Sequence, residues 1–198
     1  MLERTFNGIT VRVSLLFPAA VITLMSLDHS NFTLLCLFAS LLHEAGHALA
    51  MLIVHDRPRR VTMGIFGIRV ERDRDCYLHY RAAAVVSFAG PLVNAFCFTL
   101  LWCLGKPFSA LIHAGLALFN LLPISSLDGG EGLYALLCMR MTEDAASRVV
   151  RFVSIVVIFP LAVVGFLLLL SDNHNFSLLV MCGYLFLLLF FKEMKVCQ

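Results

Sequence analysis

Charged residues are scarce in this chain of 198 residues. Asp, Glu, Lys and Arg together make up 14% of it, hydrophobic residues make up 60%, and the mean hydropathy is +0.89. A soluble domain has an apolar share nearer about 45–50%, so the composition excludes an ordinary soluble protein. We therefore predict an all-α polytopic membrane protein that forms one domain over residues 1–198.

Two further patterns are lacking. The seven cysteines form no C-x-x-C pair and mostly lie in apolar runs, which is typical of small buried hydrophobic residues. Cys36 lies seven residues before His43 and shares its predicted helical face, so a role beside a metal stays open for it. The first apolar run, residues 13–27, lacks a small-residue cleavage site, which favours a retained membrane span over a signal peptide.

Hydropathy predicts six membrane spans separated by short polar breaks. They cover about 14–27, 31–54, 82–104, 108–123, 149–170 and 176–191. Of the fifteen Lys and Arg residues, all but Lys106 fall in or at the edge of segments that this arrangement places on one side of the membrane. Because positive charge marks the cytoplasmic side, both termini are predicted to be cytoplasmic.

A His-Glu-x-x-His pattern, His43-Glu44-x-x-His47, lies inside the second predicted span. Residues i and i+4 share one face of a helix, so both imidazoles can reach one Zn²⁺, and Glu44 can act on a metal-bound water without binding the metal. Ionisable groups are costly at membrane depth and are therefore functional candidates there. The alternative is that the three groups only hydrogen-bond inside a helix bundle. His47 lies about 10 Å from the inner end of its span, which predicts access from the cytosol.

A carboxylate on irregular backbone follows the fourth span. Pro123 removes a backbone donor and ends the helix, and Gly129 and Gly130 allow a sharp turn. Asp128 can then complete a two-His, one-carboxylate zinc site that keeps one position open for water. Two alternatives stay open: Asp128 caps the next helix, or Glu131 is the ligand instead.

The third and fourth spans also carry polar side chains. Asn94 places an amide in the membrane interior shortly after Gly90, which permits a close helix approach. The alternative for Asn94 is an interhelical hydrogen bond that only holds the bundle together. His113 lies seven residues before Asn120 and is predicted to be a packed, hydrogen-bonded histidine.

Residues 61–71, after the second span, are β-branched, apolar and punctuated by glycines. This pattern predicts a short membrane-associated β-hairpin. Non-helical backbone at that depth must be surrounded by protein or water, so the hairpin would line the cavity, and its open edge would bind an extended substrate. An interfacial loop whose arginines bind anionic headgroups explains the same residues equally well.

Three motifs in this order resemble the site-2 protease family of intramembrane zinc metalloproteases. They are His43-Glu44-x-x-His47, Gly90-Pro91-x-x-Asn94 and Asn120-x-x-Pro123-x-x-x-x-Asp128-Gly129. Short loops and the predicted hairpin look most like the bacterial branch that contains a sporulation protease acting on a membrane-tethered pro-sigma factor. The chain departs from the family in having no PDZ domain within it and no CBS domain after its last span.

The resemblance implies a zinc-dependent metalloendopeptidase with one Zn²⁺ per chain. His43, His47 and Asp128 would bind the metal, Glu44 would be the general base, and Asn94 and Asn120 would hold the substrate backbone or stabilise the oxyanion. The implied substrate is a membrane-associated protein cleaved near the cytoplasmic side, such as a sigma-factor precursor or an anti-sigma factor. The implied setting is a bacterial cell membrane, with membrane proteins as inhibitors or activators and with no nucleic acid.

Two other classes of function use the same residues. A zinc transporter or metal sensor would need a relay of sites across the membrane, and the outer half offers little beyond His113. A silent scaffold that binds membrane helices would not need Glu44 beside the histidines. Zinc content, zinc flux and cleavage of a single-span substrate distinguish the three.

Overall fold

The structure is a computed structural model that describes residues 2–6, 9–14, 16–28, 30–54, 58–64, 67–72, 80–171 and 177–196. Its helices are α1 (Leu16–Leu27), α2 (Phe32–Ile53), α3 (Tyr80–Cys103), α4 (Pro107–Asn120), α5 (Asp128–Cys138), α6 (Glu143–Ser171) and α7 (Ser177–Val196). Its strands are β1 (Leu2–Phe6), β2 (Ile9–Val13), β3 (Pro58–Gly64) and β4 (Gly67–Arg72). The chain divides into an N-terminal unit, residues 1–120, and a C-terminal unit, residues 121–198.

The four strands form one sheet of the N-terminal unit in the order β1-β2-β3-β4. The β1–β2 and β3–β4 pairs are antiparallel, and the β2–β3 pair is parallel, with Val11 opposite Val61. Strands β3 and β4 occupy the stretch for which the sequence predicts a hairpin, with Val61 opposite Val70. Strands β1 and β2 were not predicted, because hydropathy takes no account of five-residue strands that pair across the long gap to β3.

Within the part of the chain that the structure describes, three helices are long and apolar enough to cross a membrane, namely α2, α3 and α6. The sequence predicts six spans, and that number is not supported. Helix α4 has 14 residues, which is about 21 Å of helix against a hydrocarbon core of about 30 Å. The predicted span 108–123 is too long because the helix ends at Asn120, before Pro123. Hydropathy counts apolar residues whether or not their backbone is helical, so it extends spans through such breaks.

The predicted spans leave residues 124–148 as a connection between the fourth and fifth spans, and the structure differs from this over residues 140–151. Helix α5 precedes it, and α6 begins at Glu143, so most of the segment is helical. The first turn of α6 carries Glu143 and Asp144, which are favourable at the positive end of a helix dipole. Their charge lowers the hydropathy of that turn, and the prediction therefore began the span too late.

The outward faces of the helices are strongly apolar. The side chains of Phe159, Leu118 and Phe152 are 70%, 69% and 68% exposed, and many other large hydrophobic residues are 37–66% exposed. A soluble protein rarely exposes apolar patches of this extent, whereas lipid covers them. The chain is therefore an integral membrane protein.

A carboxylate defines where α2 begins. Asp28 Oδ2 accepts a hydrogen bond from the Thr33 backbone N–H, and its Oδ1 accepts one from the Ser30 backbone N–H at 2.8 Å. The first turn of a helix has no intrahelical partners for its N–H groups, so the carboxylate supplies one. These bonds, that of Thr33 foremost, hold the pKa of Asp28 far below its ordinary value.

Two glycines allow α5 to lie against the irregular segment that precedes it in the C-terminal unit. A Cβ atom at Gly129 would overlap the Leu121 carbonyl, and one at Gly130 would overlap the Ile124 carbonyl. Both glycines are helical, and among the described glycines a positive φ is found at Gly105. The predicted sharp turn is therefore wrong: the glycines are needed for close backbone approach.

The same irregular segment is held by a serine of α6. Ser154 is fully buried, and its Oγ accepts a hydrogen bond from the Ser125 backbone N–H at 2.9 Å. The hydroxyl in turn donates to the Val150 carbonyl at 2.7 Å. The start of α5 is thus fixed by backbone packing on one side and by this hydroxyl on the other.

We predict that Gly130→Ala destabilises the protein, by about 1–3 kcal/mol as in other overpacked sites. The matched control is Gly183→Ala on α7, where an added Cβ meets nothing within 4 Å. That change should be neutral or slightly stabilising, because alanine is the better helix former. Thermal unfolding in detergent measures both, and equal midpoints for the two variants would contradict the packing described here.

Candidate metal centre

Helix α2 buries one face and exposes the other. His43, Gly46, His47 and Ala50 are buried, as their three- and four-residue spacing requires. On the opposite face, Leu41 and Leu49 are 50% and 58% exposed. The two histidines of the sequence motif therefore share the buried face of α2.

The two imidazoles converge on one point. Their Nε2 atoms are 3.2 Å apart, and their rings are nearly perpendicular, with an interplanar angle of 81°. Two nitrogens that bind one tetrahedral zinc at about 2.0–2.1 Å lie about 3.3 Å apart. The separation in the structure therefore fits a shared metal ion.

The far side of each ring is held by a hydrogen-bond partner on α3. His47 Nδ1–H donates to the Val86 carbonyl at 2.8 Å. His43 Nδ1 lies 3.2 Å from the Asn94 side-chain amide. Such partners set the orientation and the tautomer of an imidazole that binds a metal.

Glycines let α2 and α3 approach closely at this level. A Cβ at Gly46 would lie 2.9 Å from Val93 Cγ2 and 3.0 Å from the Ala89 carbonyl. A Cβ at Gly90 would overlap His47 Nε2 and would lie 2.8 Å from His43 Cε1. The close approach predicted for Gly90 is confirmed, and the space that its missing side chain leaves is the space between the two imidazoles.

Asn94 of α3 and His113 of α4 form one cluster with His43. Asn94 is fully buried between His43 and His113, and His113 Nδ1 lies 3.0 Å from Asn94 Oδ1. The prediction that His113 is packed and hydrogen-bonded is confirmed. Asn120, the last residue of α4, is half-buried, and its Nδ2 donates to the Leu116 carbonyl at 3.0 Å.

The acidic candidates are less buried than the histidines. Glu44 is half-buried on α2. In the C-terminal unit, Asp128 is the half-buried first residue of α5, and Glu131 is exposed about one turn later. The N-cap of α5 is Leu127, so the alternative in which Asp128 caps the helix is wrong. A carboxylate in the first turn is nevertheless favourable for the helix dipole.

These observations define a class of protein: a helical membrane protein with paired, buried imidazoles on a membrane-spanning helix. Its fold is similar to that of a solved structure, the site-2 protease from Methanocaldococcus jannaschii, with a TM-score of 0.66. The likeness covers 94% of this chain and 92% of that one, at 19% sequence identity. The chain therefore shares the site-2 protease fold.

A curated relative adds sequence similarity. The chain is 33% identical over 114 residues to a Synechocystis sp. protein named "Putative zinc metalloprotease sll0528". The match takes in 51% of this chain and 30% of that protein, so the chain spans about a third of its relative's length. No family model matches the chain.

Sequence reasoning missed three contributors to this site. The Val86 carbonyl has no signal in a sequence, because every residue carries such a group. Gly46 also lacks a sequence signal, because a lone glycine in a helix is common. In the structure its missing side chain allows α2 and α3 to pack closely. The contact between Asn94 and His113 had a usable signal, since two polar side chains at membrane depth each need a partner.

We predict that Gly90→Ala sharply weakens zinc binding, because the new methyl group would occupy the space between the two imidazoles. The matched control is Gly115→Ala on α4, where an added Cβ meets nothing within 4 Å. Zinc bound per chain, measured by elemental analysis after competition with a chelator, should fall for the first variant and stay unchanged for the second. Full zinc retention in Gly90→Ala would show that the metal lies elsewhere.

Proposed function

We propose that this protein is a zinc-dependent intramembrane endopeptidase of the site-2 protease family. The observation that carries the proposal is the pair of buried imidazoles on α2, whose Nε2 atoms lie at the separation expected for one metal. The shared fold and the zinc metalloprotease relative support it. The His-Glu-x-x-His motif also provides a candidate general base, the glutamate that directly follows the first histidine.

The proposed metal ligands are His43, His47 and Asp128, with one zinc ion per chain. Two neutral imidazoles and one carboxylate are a common ligand set of catalytic zinc, and they leave a coordination position for water. Asp128 is favoured over Glu131 because it lies at the very start of α5, directly after the irregular segment, and is the more buried of the two. The half-buried Cys36 shares the helix of the histidines, but the carboxylate completes a hydrolytic site and a thiolate is not required.

Zinc in such a site lowers the pKa of a coordinated water toward neutrality and polarises a carbonyl oxygen. Glu44 is proposed to take a proton from the attacking water as its oxygen bonds to the peptide carbon. Glu44 then gives that proton to the leaving amine nitrogen as the C–N bond breaks, so no further acid is needed. Glu44 is half-buried and directly follows His43 on α2.

The proposed substrate is a membrane-associated protein with a helical segment. A helix hides its peptide bonds in its own hydrogen-bond ladder, so that segment must be extended before cleavage. Strand β4 is an edge of the described sheet, and an edge strand offers backbone groups that pair with an extended peptide. Asn120 is a candidate to hold the substrate backbone or to stabilise the oxyanion.

The side of the membrane at which cleavage occurs, the identity of the substrate and the regulators are proposed from the resemblance of the three sequence motifs. We propose cleavage near the cytoplasmic side of a bacterial membrane, with both termini of the chain in the cytoplasm. A sigma-factor precursor or an anti-sigma factor is the proposed substrate, and inhibitory or activating membrane proteins are the proposed regulators. Comparison of membrane proteomes from cells with the active protein and with Glu44→Gln would identify the uncleaved substrate directly.

We predict that Glu44→Gln keeps bound zinc and lowers peptide hydrolysis by at least about 10²–10⁴-fold, the usual contribution of a general base. The amide is isosteric with the carboxylate and cannot take the proton, while both histidines stay in place. Glu131→Gln on α5 is the control and should leave the rate unchanged. Cleavage of a purified single-span substrate measures the rate, and undiminished turnover in Glu44→Gln would exclude the role.

We also predict that Asp128→Ala weakens zinc binding at least about tenfold, since it removes one of three protein ligands. Glu131→Ala should bind zinc like the unaltered protein. Both are measured by chelator competition in detergent. The opposite result, with loss confined to Glu131→Ala, would assign the third ligand to Glu131.

A further inference from the structure

One buried amide contacts two histidines from different helices. Asn94 of α3 is fully buried, with one end of its side-chain amide 3.2 Å from His43 Nδ1 on α2 and the other 3.0 Å from His113 Nδ1 on α4. His113 is itself 4% exposed. The three side chains therefore form a continuous row that leads away from the proposed metal position.

An amide imposes opposite roles on the two nitrogens it touches, because its Nδ2 donates and its Oδ1 accepts. In the structure Nδ2 faces His43 and Oδ1 faces His113. In this orientation Asn94 donates to His43 Nδ1, and His113 Nδ1–H donates to Asn94. A neutral His43 that accepts at Nδ1 carries its hydrogen on Nε2, and such an Nε2 cannot bind a metal.

Metal binding requires the opposite arrangement. An imidazole that binds zinc through Nε2 carries a hydrogen on Nδ1 and donates it to an acceptor. Asn94 can supply that acceptor by turning its amide by half a rotation, which exchanges two ends of nearly equal shape. Its Nδ2 then donates to His113 Nδ1, and His113 keeps its own hydrogen on Nε2.

His47 provides an internal contrast. Its Nδ1 faces the Val86 backbone carbonyl at 2.8 Å, and a carbonyl can only accept. The tautomer of His47 that binds metal through Nε2 is therefore set by the backbone. The tautomer of His43 depends on a side chain that can face it in either of two ways.

We propose that Asn94 and His113 are positioning residues for the metal ligand His43. Asn94 Oδ1 accepts from His43 Nδ1–H and so presents Nε2 to the metal, and His113 Nδ1 accepts from Asn94 Nδ2–H and so holds the amide in that orientation. This inference rests on the proposed zinc site. It gives Asn94 a role other than the oxyanion or substrate contact predicted from sequence.

The test uses four substitutions in the 198-residue chain in detergent, namely Asn94→Leu, Asn94→Asp, His113→Ala and His43→Ala. Asn94→Leu keeps the branching of the side chain at Cγ and removes the acceptor, so zinc affinity should fall about 10–100-fold, the usual effect of losing a partner of a ligating histidine. Asn94→Asp offers only acceptors and should bind zinc at least as tightly as the unaltered protein. Chelator competition gives the affinities, and the visible absorption of the Co²⁺ form reports the ligand geometry.

The role of His113 is tested by the coupling between two positions. His113→Ala should weaken zinc binding when residue 94 is asparagine, because the amide is then free to turn. The same change should have little effect in the Asn94→Asp background, because a carboxylate has no wrong orientation. An equal loss in both backgrounds would show that His113 only packs the bundle. This comparison remains decisive if Asn94→Leu does not fold, which thermal unfolding of the metal-free protein reveals.

His43→Ala separates failure of this inference from failure of the proposed function. If His43→Ala loses zinc while Asn94→Leu binds it like the unaltered protein, the positioning role is wrong and the metal site stands. If His43→Ala also keeps zinc, the metal site itself is wrong. Loss of zinc in His43→Ala and Asn94→Leu together with tight binding in Asn94→Asp supports both.

Discussion

The site depends on two imidazoles, those of His43 and His47, whose Nε2 atoms lie 3.2 Å apart inside an apolar bundle. A polar group taken out of water costs free energy unless it has a hydrogen-bond partner, and that cost is highest where lipid excludes water. Each ring therefore needs a partner on its far side, which the Val86 carbonyl and Asn94 provide. Asn94 is buried in turn, and His113 on α4 is its second partner.

Close helix packing is the second requirement, and glycine meets it. The hydrophobic effect does not draw helices together in lipid, so small residues that let backbones approach are important there. Gly46 and Gly90 bring α2 and α3 together at the level of the histidines. In the C-terminal unit, Gly129 and Gly130 serve the start of α5 in the same way. Both places lie next to residues that the sequence motifs single out, which explains why glycines occur within those motifs.

The chemistry proposed here divides between rigid and adaptable parts. A backbone carbonyl has one hydrogen-bonding role, so it fixes the ring of His47 whether or not a metal is bound. An asparagine amide has two roles and can exchange them, so the ring of His43 is set by its neighbours. In the proposed site, a backbone carbonyl therefore orients the ring of His47, and the side chains of Asn94 and His113 orient the ring of His43.

The sequence by itself determined the membrane class, the main helices near the site and the identity of the candidate chemistry. It could do so because these properties are local: hydropathy is a sum over a window, and the spacing of His43 and His47 follows from the helical repeat. Only the tertiary structure decided which of the described helices are long and apolar enough to span the membrane. It alone also showed that two further strands join the sheet and that residues 128–138 form a separate helix, α5. It also decided that Asn94 lies between His43 and His113, since α2, α3 and α4 must pack before residues 51 and 19 positions apart can bond. Contacts of that kind depend on the distances between helices, which composition and spacing do not contain.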